Sequence, residues 1–265
     1  MATTLLILDF SGTLSLEAVR FGTPARLEAA LRQSGLWTLG LDLARYWNDV
    51  VGPTWDEGST TRIGLQGLLV RWLQTQGVPM LVAVRRAARM VRAYMAASII
   101  DPDWQPLFAA LRSDPRVITL VATDHYAEAT RQIARQLAVL GWGAQALQRR
   151  HGRVVRHRYS GAATLPTALI ANSAELGVVK AESLFWQRVQ AGLRISPDRI
   201  VLVDDFGASE NAADGYADPQ RIARRRQQTV AALEQTFTVP VDVVMFTLAH
   251  PIDQVSAEIL AFAHR

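Results

Sequence analysis

Short apolar runs recur along the chain, and amphipathic helical patterns separate most of them. The runs have the length and bulk of buried strands, and they lie at residues 4–9, 117–122, 168–171, 200–204 and 241–247. The helical patterns lie at residues 104–111, 127–140, 181–191, 219–235 and 252–263. Strands that alternate with helices indicate a parallel sheet covered on both faces. We therefore predict an α/β fold, a doubly wound parallel sheet of the Rossmann-like kind.

Residues 16–99 show a different pattern, because helical periodicity continues there without a strand. It covers residues 24–31, 39–51, 60–73 and 82–97. Ser59 or Thr60 is the expected N-cap of the third of these helices. The sequence thus predicts a core formed by residues 1–15 and 100–265 and an inserted α-helical domain at 16–99. The insert contains four tryptophans that we expect in its hydrophobic interior: Trp37, Trp47, Trp55 and Trp72.

Composition narrows the function classes only a little. The chain has no cysteine, which excludes disulfides and thiolate metal sites, and its formal net charge is +4. No apolar run reaches membrane-spanning length, and the N-terminus lacks the features of a signal peptide, so we expect no membrane partner and a cytoplasmic location. Residues 148–163 are rich in arginine and are expected to form a hairpin or a loop. Arginine without interleaved aromatic residues is weak support for nucleic-acid binding, which we do not expect. The sequence gives no oligomeric state.

Four groups of polar residues stand where chemistry would be expected in such a sheet. The first apolar run ends in Asp9-Phe10-Ser11-Gly12-Thr13-Leu14, and the second is followed by Thr123. Lys180 is the single lysine among 28 lysine and arginine residues, and Asp204-Asp205 ends the fourth run. In doubly wound sheets ligands bind outside the carboxyl ends of the strands. Two acids at strand ends with one amine between them in sequence indicate an anionic group held against a metal ion.

These four motifs, in this order, resemble those of the haloacid dehalogenase-like (HAD) hydrolase superfamily. The helical insert between the first and second motifs is similar in position and character to the α-helical cap of that superfamily. The resemblance implies a Mg²⁺-dependent hydrolase, most simply a phosphatase acting on a small phosphorylated metabolite. It also implies that the cap closes over the site and sets the substrate specificity.

The resemblance assigns a role to each candidate residue. Asp9 is the expected nucleophile, and Thr123, Lys180 and Gly12 are expected to contact the phosphoryl group, with Asp124 beside them. The expected Mg²⁺ ligands are Asp9, the backbone carbonyl of Ser11, and Asp204. Asp205 is expected to bind Mg²⁺ through water or to orient the other ligands.

Ser11 departs from the phosphatase pattern, in which a second aspartate at this position transfers protons. A serine hydroxyl does not titrate near neutral pH, and the loss of a general acid–base group typically costs about 10²–10⁴-fold in rate. Asp124 and His125 are possible substitutes, or they are simply loop residues that cap the following helix. Glu210 and Asn211 are expected either to steady the fourth motif or to cap a helix.

Other functions therefore remain open at this point. One is a phosphate-binding or regulatory protein with weak turnover, and another is a different HAD chemistry, such as that of a dehalogenase or a phosphonatase-like enzyme. The paired acids Asp204-Asp205 favour a metal, and the insert has no lysine that could form an imine. Arg20, Arg45 and Arg62 are candidate anchors for the substrate.

Overall fold

The computed structural model describes residues 3–161, 165–210 and 217–263, without the side chain of Ser160. Its strands are β1 (Thr4–Leu8), β2 (Val117–Thr123), β3 (Gly143–Arg150), β4 (Arg153–Ser160), β5 (Thr167–Asn172), β6 (Arg199–Asp204) and β7 (Val241–Met245). The insert contains α1 (Leu16–Phe21), α2 (Pro24–Ser34), α3 (Leu43–Arg45), α4 (Gly52–Thr60), α5 (Gly64–Thr75) and α6 (Met80–Ala97). The remaining helices are α7 (Gln105–Leu111), α8 (Glu128–Val139), α9 (Ser173–Leu176), α10 (Ser183–Leu193), α11 (Pro219–Phe237) and α12 (Ile252–Ala263).

The strands form one seven-stranded sheet in the order β4-β3-β5-β2-β1-β6-β7. All neighbouring strands are parallel except β3 and β4, which form an antiparallel hairpin at one edge. The predicted α/β class is confirmed. In the described part of the chain, every helix is either too short or too polar to span a lipid bilayer.

The central strand β1 shows why the sheet needs helices on both faces. Its side chains are buried along its whole length, as expected for a strand inside a parallel sheet. Successive side chains point to opposite faces. Leu6 and Leu8 pack in a cluster with α7, α8 and α12, whereas Leu5 and Ile7 pack in a second cluster with α10 and α11. The two clusters fix the sheet between two layers of helices.

The helical insert has a hydrophobic cluster of its own, to which α2, α5 and α6 contribute. The continuous helix predicted at 39–51 is wrong in detail. A short 3-10 turn, Trp37–Leu39, ends at Gly40, whose φ of 87° is left-handed, and only then does α3 begin. Residues Tyr46–Val51 follow as a π-helix, a rare form that frequently occurs at functional sites.

The predicted N-cap of the third insert helix is also wrong. Ser59 and Thr60 belong to the end of α4, and α5 begins at Gly64. The free N–H groups in the first turn of α5 instead find their acceptor in the core. The Glu128 carboxylate accepts hydrogen bonds from the N–H groups of Leu65 and Gln66 at 3.1 and 3.0 Å. A carboxylate at a helix N-terminus is favourable, so this contact ties the insert to the sheet domain.

The arginine-rich segment at 148–163 belongs to the β3–β4 hairpin rather than to a loop. The turn is made by His151 and Gly152, which have φ values of 48° and 78°. Two consecutive positive φ angles are typical of the tight turns that join twisted antiparallel strands. Ala162 and Ala163, the end of the predicted segment, lie outside the described residues.

Candidate functional site

Three of the candidate residues meet because of strand register. Leu8 of β1 lies level with Val121 of β2 on one side and with Val203 of β6 on the other. Asp9 directly follows β1, and Thr123 and Asp204 are the last residues of β2 and β6. All three side chains therefore reach the carboxyl edge of the sheet at its centre, and all three are buried.

Lys180 joins the two aspartates at this edge. Its Nζ lies 2.6 Å from Oδ1 of Asp9 and 2.7 Å from Oδ2 of Asp204. Carboxylate oxygens of Asp9, Asp204 and Asp205 lie within 4.8 Å of one another. The structure thus brings one ammonium and three carboxylates into a single buried cluster.

The backbone of Lys180 is held at both ends of the residue. Its N–H donates to Oδ1 of Asp124 at 3.0 Å, and its carbonyl accepts the indole N–H of Trp186 at 2.8 Å. Lys180 itself lies in the loop before α10, three residues ahead of the first helical residue, Ser183. Asp124 therefore acts here on the position of Lys180, and its carboxylate also lines the cavity described below.

Asp205 organises the loop that follows β6. Its two carboxylate oxygens accept the N–H groups of Gly207 at 3.1 Å and Ser209 at 2.9 Å, and its own N–H donates to Oγ1 of Thr13 at 3.1 Å. Gly12 passes close to this carboxylate with a φ of 81°, where any Cβ would collide with the Asp205 oxygens. The first and fourth motifs are therefore locked together by contacts that require glycine at position 12.

Burial dominates the electrostatics of the cluster. Burial raises the pKa of Asp9 well above its usual range; the Lys180 charge opposes this shift, and the charges of Asp204 and Asp205 add to it. Burial alone would lower the pKa of Lys180, but the carboxylates of Asp204, Asp9 and Asp124 raise it well above the ordinary value. Lys180 is thus held as an ammonium among more carboxylates than it can neutralise.

Ser11 and Glu210 form a contact that the sequence did not predict. The Ser11 hydroxyl donates to Oε1 of Glu210 at a long distance of 3.4 Å, and both residues line the same cavity. A carboxylate therefore lies beside Ser11, the position at which phosphatases of the superfamily that the four motifs resemble have their second aspartate. Asn211, named with Glu210 from the sequence, lies outside the described residues.

His125 is buried, and its ring contacts the insert. Its Nε2 lies 3.1 Å from the hydroxyl of Tyr94 on α6, and the two rings stack with centroids 5.6 Å apart. Burial lowers the pKa of His125 to about 4, so its imidazole is neutral at physiological pH. Of the two substitutes considered from sequence, His125 contacts the insert and Asp124 contacts Lys180.

A cavity of about 460 Å³ opens over the carboxylate cluster, between the sheet edge and the insert. The core side of the cavity carries all the residues expected to act on the phosphate or the metal ion except Gly12: Asp9, Ser11, Thr123, Asp124, Lys180, Asp204 and Asp205. The opposite side carries the aromatic side chains Phe21, Tyr46, Trp47, Trp55 and Tyr94. Trp47 and Trp55 were expected in the interior of the insert, and here they line the cavity; Trp37 and Trp72 do not.

The three arginines proposed as substrate anchors do not line this cavity. Arg20 pairs with Glu17 at 2.7 Å, and Arg62 pairs with Glu175 at 2.7 Å. Arg45 donates to the carbonyl of Gly40 at 3.2 Å. Arg221 and Arg225 of α11 do line it. Neither could be found from sequence, since their helix reads as a solvated face.

Comparisons of the sequence find no match for this chain, but comparisons of the structure find solved proteins with a similar fold. No protein-family model and no curated protein sequence matches the chain. One similar structure is a 2-haloacid dehalogenase from Pseudomonas syringae pv. Tomato DC3000, with 18% identity, a TM-score of 0.49, and 82% of this chain and 84% of the other covered. Another is a HAD family enzyme from Bacteroides thetaiotaomicron, with 10% identity, a TM-score of 0.47, and 96% and 98% covered.

Proposed function

We propose that this chain is a HAD-like hydrolase that cleaves a phosphate ester through a phosphorylated Asp9. One observation carries the proposal: Lys180 lies against Asp9 and Asp204 in a buried cluster at the floor of a cavity. Phosphoryl transfer needs positioning and charge neutralisation more than it needs elaborate covalent chemistry. The cluster provides a carboxylate nucleophile and a compact cation within hydrogen-bond distance of each other.

The donor set also fits Mg²⁺. Asp9, Asp204 and Asp205 offer hard carboxylate oxygens from three residues, the ligand type that Mg²⁺ prefers, and the Ser11 carbonyl is the fourth proposed protein ligand. Three buried carboxylates beside one ammonium leave an excess of negative charge that a divalent cation would offset. Bound there, Mg²⁺ would neutralise charge on the phosphoryl oxygens and orient the phosphate. Asp205 is already used by two backbone N–H groups, which favours the outer role for it.

In the first step an oxygen of Asp9 attacks phosphorus, and the bond between phosphorus and the ester oxygen breaks. Lys180, whose raised pKa keeps it protonated, stabilises the negative charge on the transferred group, and Thr123 contacts its oxygens. The ester oxygen leaves as an alcohol after it takes up a proton. In the second step water attacks phosphorus, gives up a proton, and releases phosphate from Asp9.

The proton in both steps needs a titratable group, and Ser11 is not one. Glu210 is the carboxylate in contact with Ser11 and lines the cavity, so it is a better placed substitute than His125, which is held by Tyr94. Asp124 is occupied by the backbone of Lys180 on one oxygen. We propose that Glu210 transfers these protons, with Asp124 as the alternative.

The helical insert at 16–99 is proposed to act as the cap of this site. It forms one side of the cavity, and it is joined to the core through polar contacts such as Glu128 with α5 and Tyr94 with His125. A cap that closes over the substrate would exclude water from the phosphoryl group.

The proposal is tested by phosphate release from a panel of phosphomonoesters, with Mg²⁺ and with a chelator. We expect turnover that requires the metal and is lost in the Asp9→Asn variant. Halide release from a haloacid without metal would instead indicate displacement at carbon. No hydrolysis of any ester under metal-replete conditions would contradict the proposed function.

A second candidate function follows from Ser11 itself. If neither Glu210 nor Asp124 transfers protons, the site still binds phosphate but turns over slowly, as a phosphate-sensing protein would. Calorimetry with inorganic phosphate and Mg²⁺, together with the turnover assay, separates the two. Tight binding without catalysis favours the sensor, whereas multiple turnover favours the hydrolase.

A further inference from the structure

The side of the cavity that faces the carboxylate cluster is built from aromatic rings. Phe21 and Tyr94 have ring centroids 5.1 Å apart, and Tyr94 stacks on His125. Trp55 meets Tyr126 edge to face at 5.4 Å, and Tyr46 meets Trp47 in the same way at 5.3 Å. Such pairs hold one another in place, so the substrate meets a pre-formed apolar surface.

The insert adds no charged side chain to this surface. Among its described residues that line the cavity, Asn48 is the one polar side chain apart from tyrosine hydroxyls and indole N–H groups. The Tyr94 hydroxyl is already paired with Nε2 of His125. The charged residues that the structure describes in the cavity lining all belong to the core, and they include Arg221 and Arg225. A polyhydroxylated group placed among these rings would therefore lose more hydrogen bonds with water than it gained.

We infer that the substrate is a phosphate ester of an apolar, ring-sized alcohol rather than of a sugar or another polyol. The inference rests on the proposed function for the phosphate end and on the aromatic surface for the other end. A cavity of about 460 Å³ has room for a phosphate and one six-membered ring, and this volume is typical of small-molecule sites.

Two esters of nearly the same shape test this inference. Cyclohexylmethyl phosphate and glucose 6-phosphate both carry a six-membered ring next to the phosphate, but only the sugar carries hydroxyl groups. We expect kcat/KM to be larger for the cyclohexyl ester by about 100-fold or more, because several hydroxyl groups would be buried without partners. Equal values, or a preference for the sugar, would overturn the inference and leave the proposed function standing.

Two tryptophan variants test whether the preference for the apolar ester depends on the aromatic side of the cavity. Trp55 lines the cavity, whereas Trp37 is a half-buried tryptophan of the same insert that contacts Arg32 instead. We expect Trp55→Leu to raise KM for the cyclohexyl ester by roughly tenfold while kcat changes less, because ring contacts are lost. Trp37→Leu should leave KM at the wild-type value. Equal changes in both variants would mean that the effect is one of stability alone, and would count against the inference.

A binding measurement keeps the inference testable if the proposed function fails. Cyclohexylmethylphosphonate has no ester bond to hydrolyse. Its affinity and that of glucose 6-phosphate are measured in separate titrations followed by tryptophan fluorescence, with Mg²⁺ present. Tighter binding of the phosphonate by at least roughly tenfold supports an apolar substrate even when no ester is hydrolysed. Comparable affinities, or no binding of the phosphonate, contradict it.

Discussion

The two sides of the cavity differ in almost every physical respect. The core side is charged, buried and fixed by backbone hydrogen bonds, such as those that hold Lys180 and Asp205. The insert side is uncharged and aromatic, and it includes a π-helix. This contrast supports our proposal that the core carries out the chemistry and the insert selects the substrate. Substitutions on the core side should therefore reduce turnover of every substrate, whereas those on the insert side should reorder the substrates.

Asp9→Asn should have the largest effect on the core side. It removes the proposed nucleophile and one carboxylate of the metal site while changing almost no volume, so turnover should fall by about 10⁴-fold or more. Steady-state phosphate release measures the loss, and circular dichroism checks the fold. Asp114→Asn, at an aspartate that pairs with Arg116 outside the cavity, is the matched control. Comparable activity in both variants would remove Asp9 from the mechanism.

Lys180→Arg should be nearly as damaging, although it keeps the charge. The ammonium lies 2.6 and 2.7 Å from two carboxylates in a buried space, and a planar guanidinium is too large to make both contacts from the same backbone position. We expect a loss of about 10²-fold or more in kcat. An arginine variant that works as well as the wild-type protein would show that position 180 needs only a positive charge.

Substitutions at Asp204 and at Asp205 should affect different properties, the first mainly metal binding and the second mainly stability. Asp204→Asn should weaken the response of the activity to Mg²⁺ more strongly than Asp205→Asn does, because Asp204 contacts Lys180 and lies at the end of β6. Asp205→Asn should mainly lower the free energy of unfolding, by about 1–3 kcal/mol, since an amide cannot accept from both Gly207 and Ser209. Metal titrations and urea unfolding of both variants check the assignment. The reverse order would mean that Asp205 is the inner ligand.

Ser11 and Glu210 allow a test of proton transfer. Glu210→Gln should slow turnover by about 10²-fold if this carboxylate transfers protons. Ser11→Asp should speed hydrolysis little in the wild-type background, because the new carboxylate would lie beside Glu210 and be repelled by it. In the Glu210→Gln background the same substitution should restore part of the lost rate. A Glu210→Gln variant with full activity would contradict the role of Glu210 and favour Asp124 as the group that transfers protons.

The core was largely predictable from sequence, and the insert side of the cavity was not. The strand that precedes Asp9 and the strand that ends at Asp204 are continuous apolar runs, and parallel sheets direct their ends to one edge. Trp47 and Trp55 could not be placed, because a left-handed Gly40 and a π-helix interrupt the helical periodicity. The contact of Glu210 with Ser11 depends on the path of a loop, which no local pattern reports.

His125 should give the smallest effect, seen as a change in stability with pH. Burial depresses its pKa from 6.5 to about 4, so the unfolded chain binds a proton between these values and the folded chain does not. The folded state should therefore lose stability as pH falls below 6.5, by up to about 3 kcal/mol near pH 4. His125→Gln, which can still bond to Tyr94, should remove this part of the acid sensitivity. Urea unfolding curves that fall equally with pH in both proteins would contradict the assignment.

The most direct test of the account is the mass of the peptide that contains Asp9 after rapid acid quenching during turnover. With Mg²⁺ and cyclohexylmethyl phosphate, we predict that this peptide gains the mass of one phosphoryl group on Asp9 at early times. The gain should be absent with a chelator and in the Asp9→Asn variant. Phosphate release with no phosphorylated Asp9 at any quench time would contradict the central claim that Asp9 is the nucleophile.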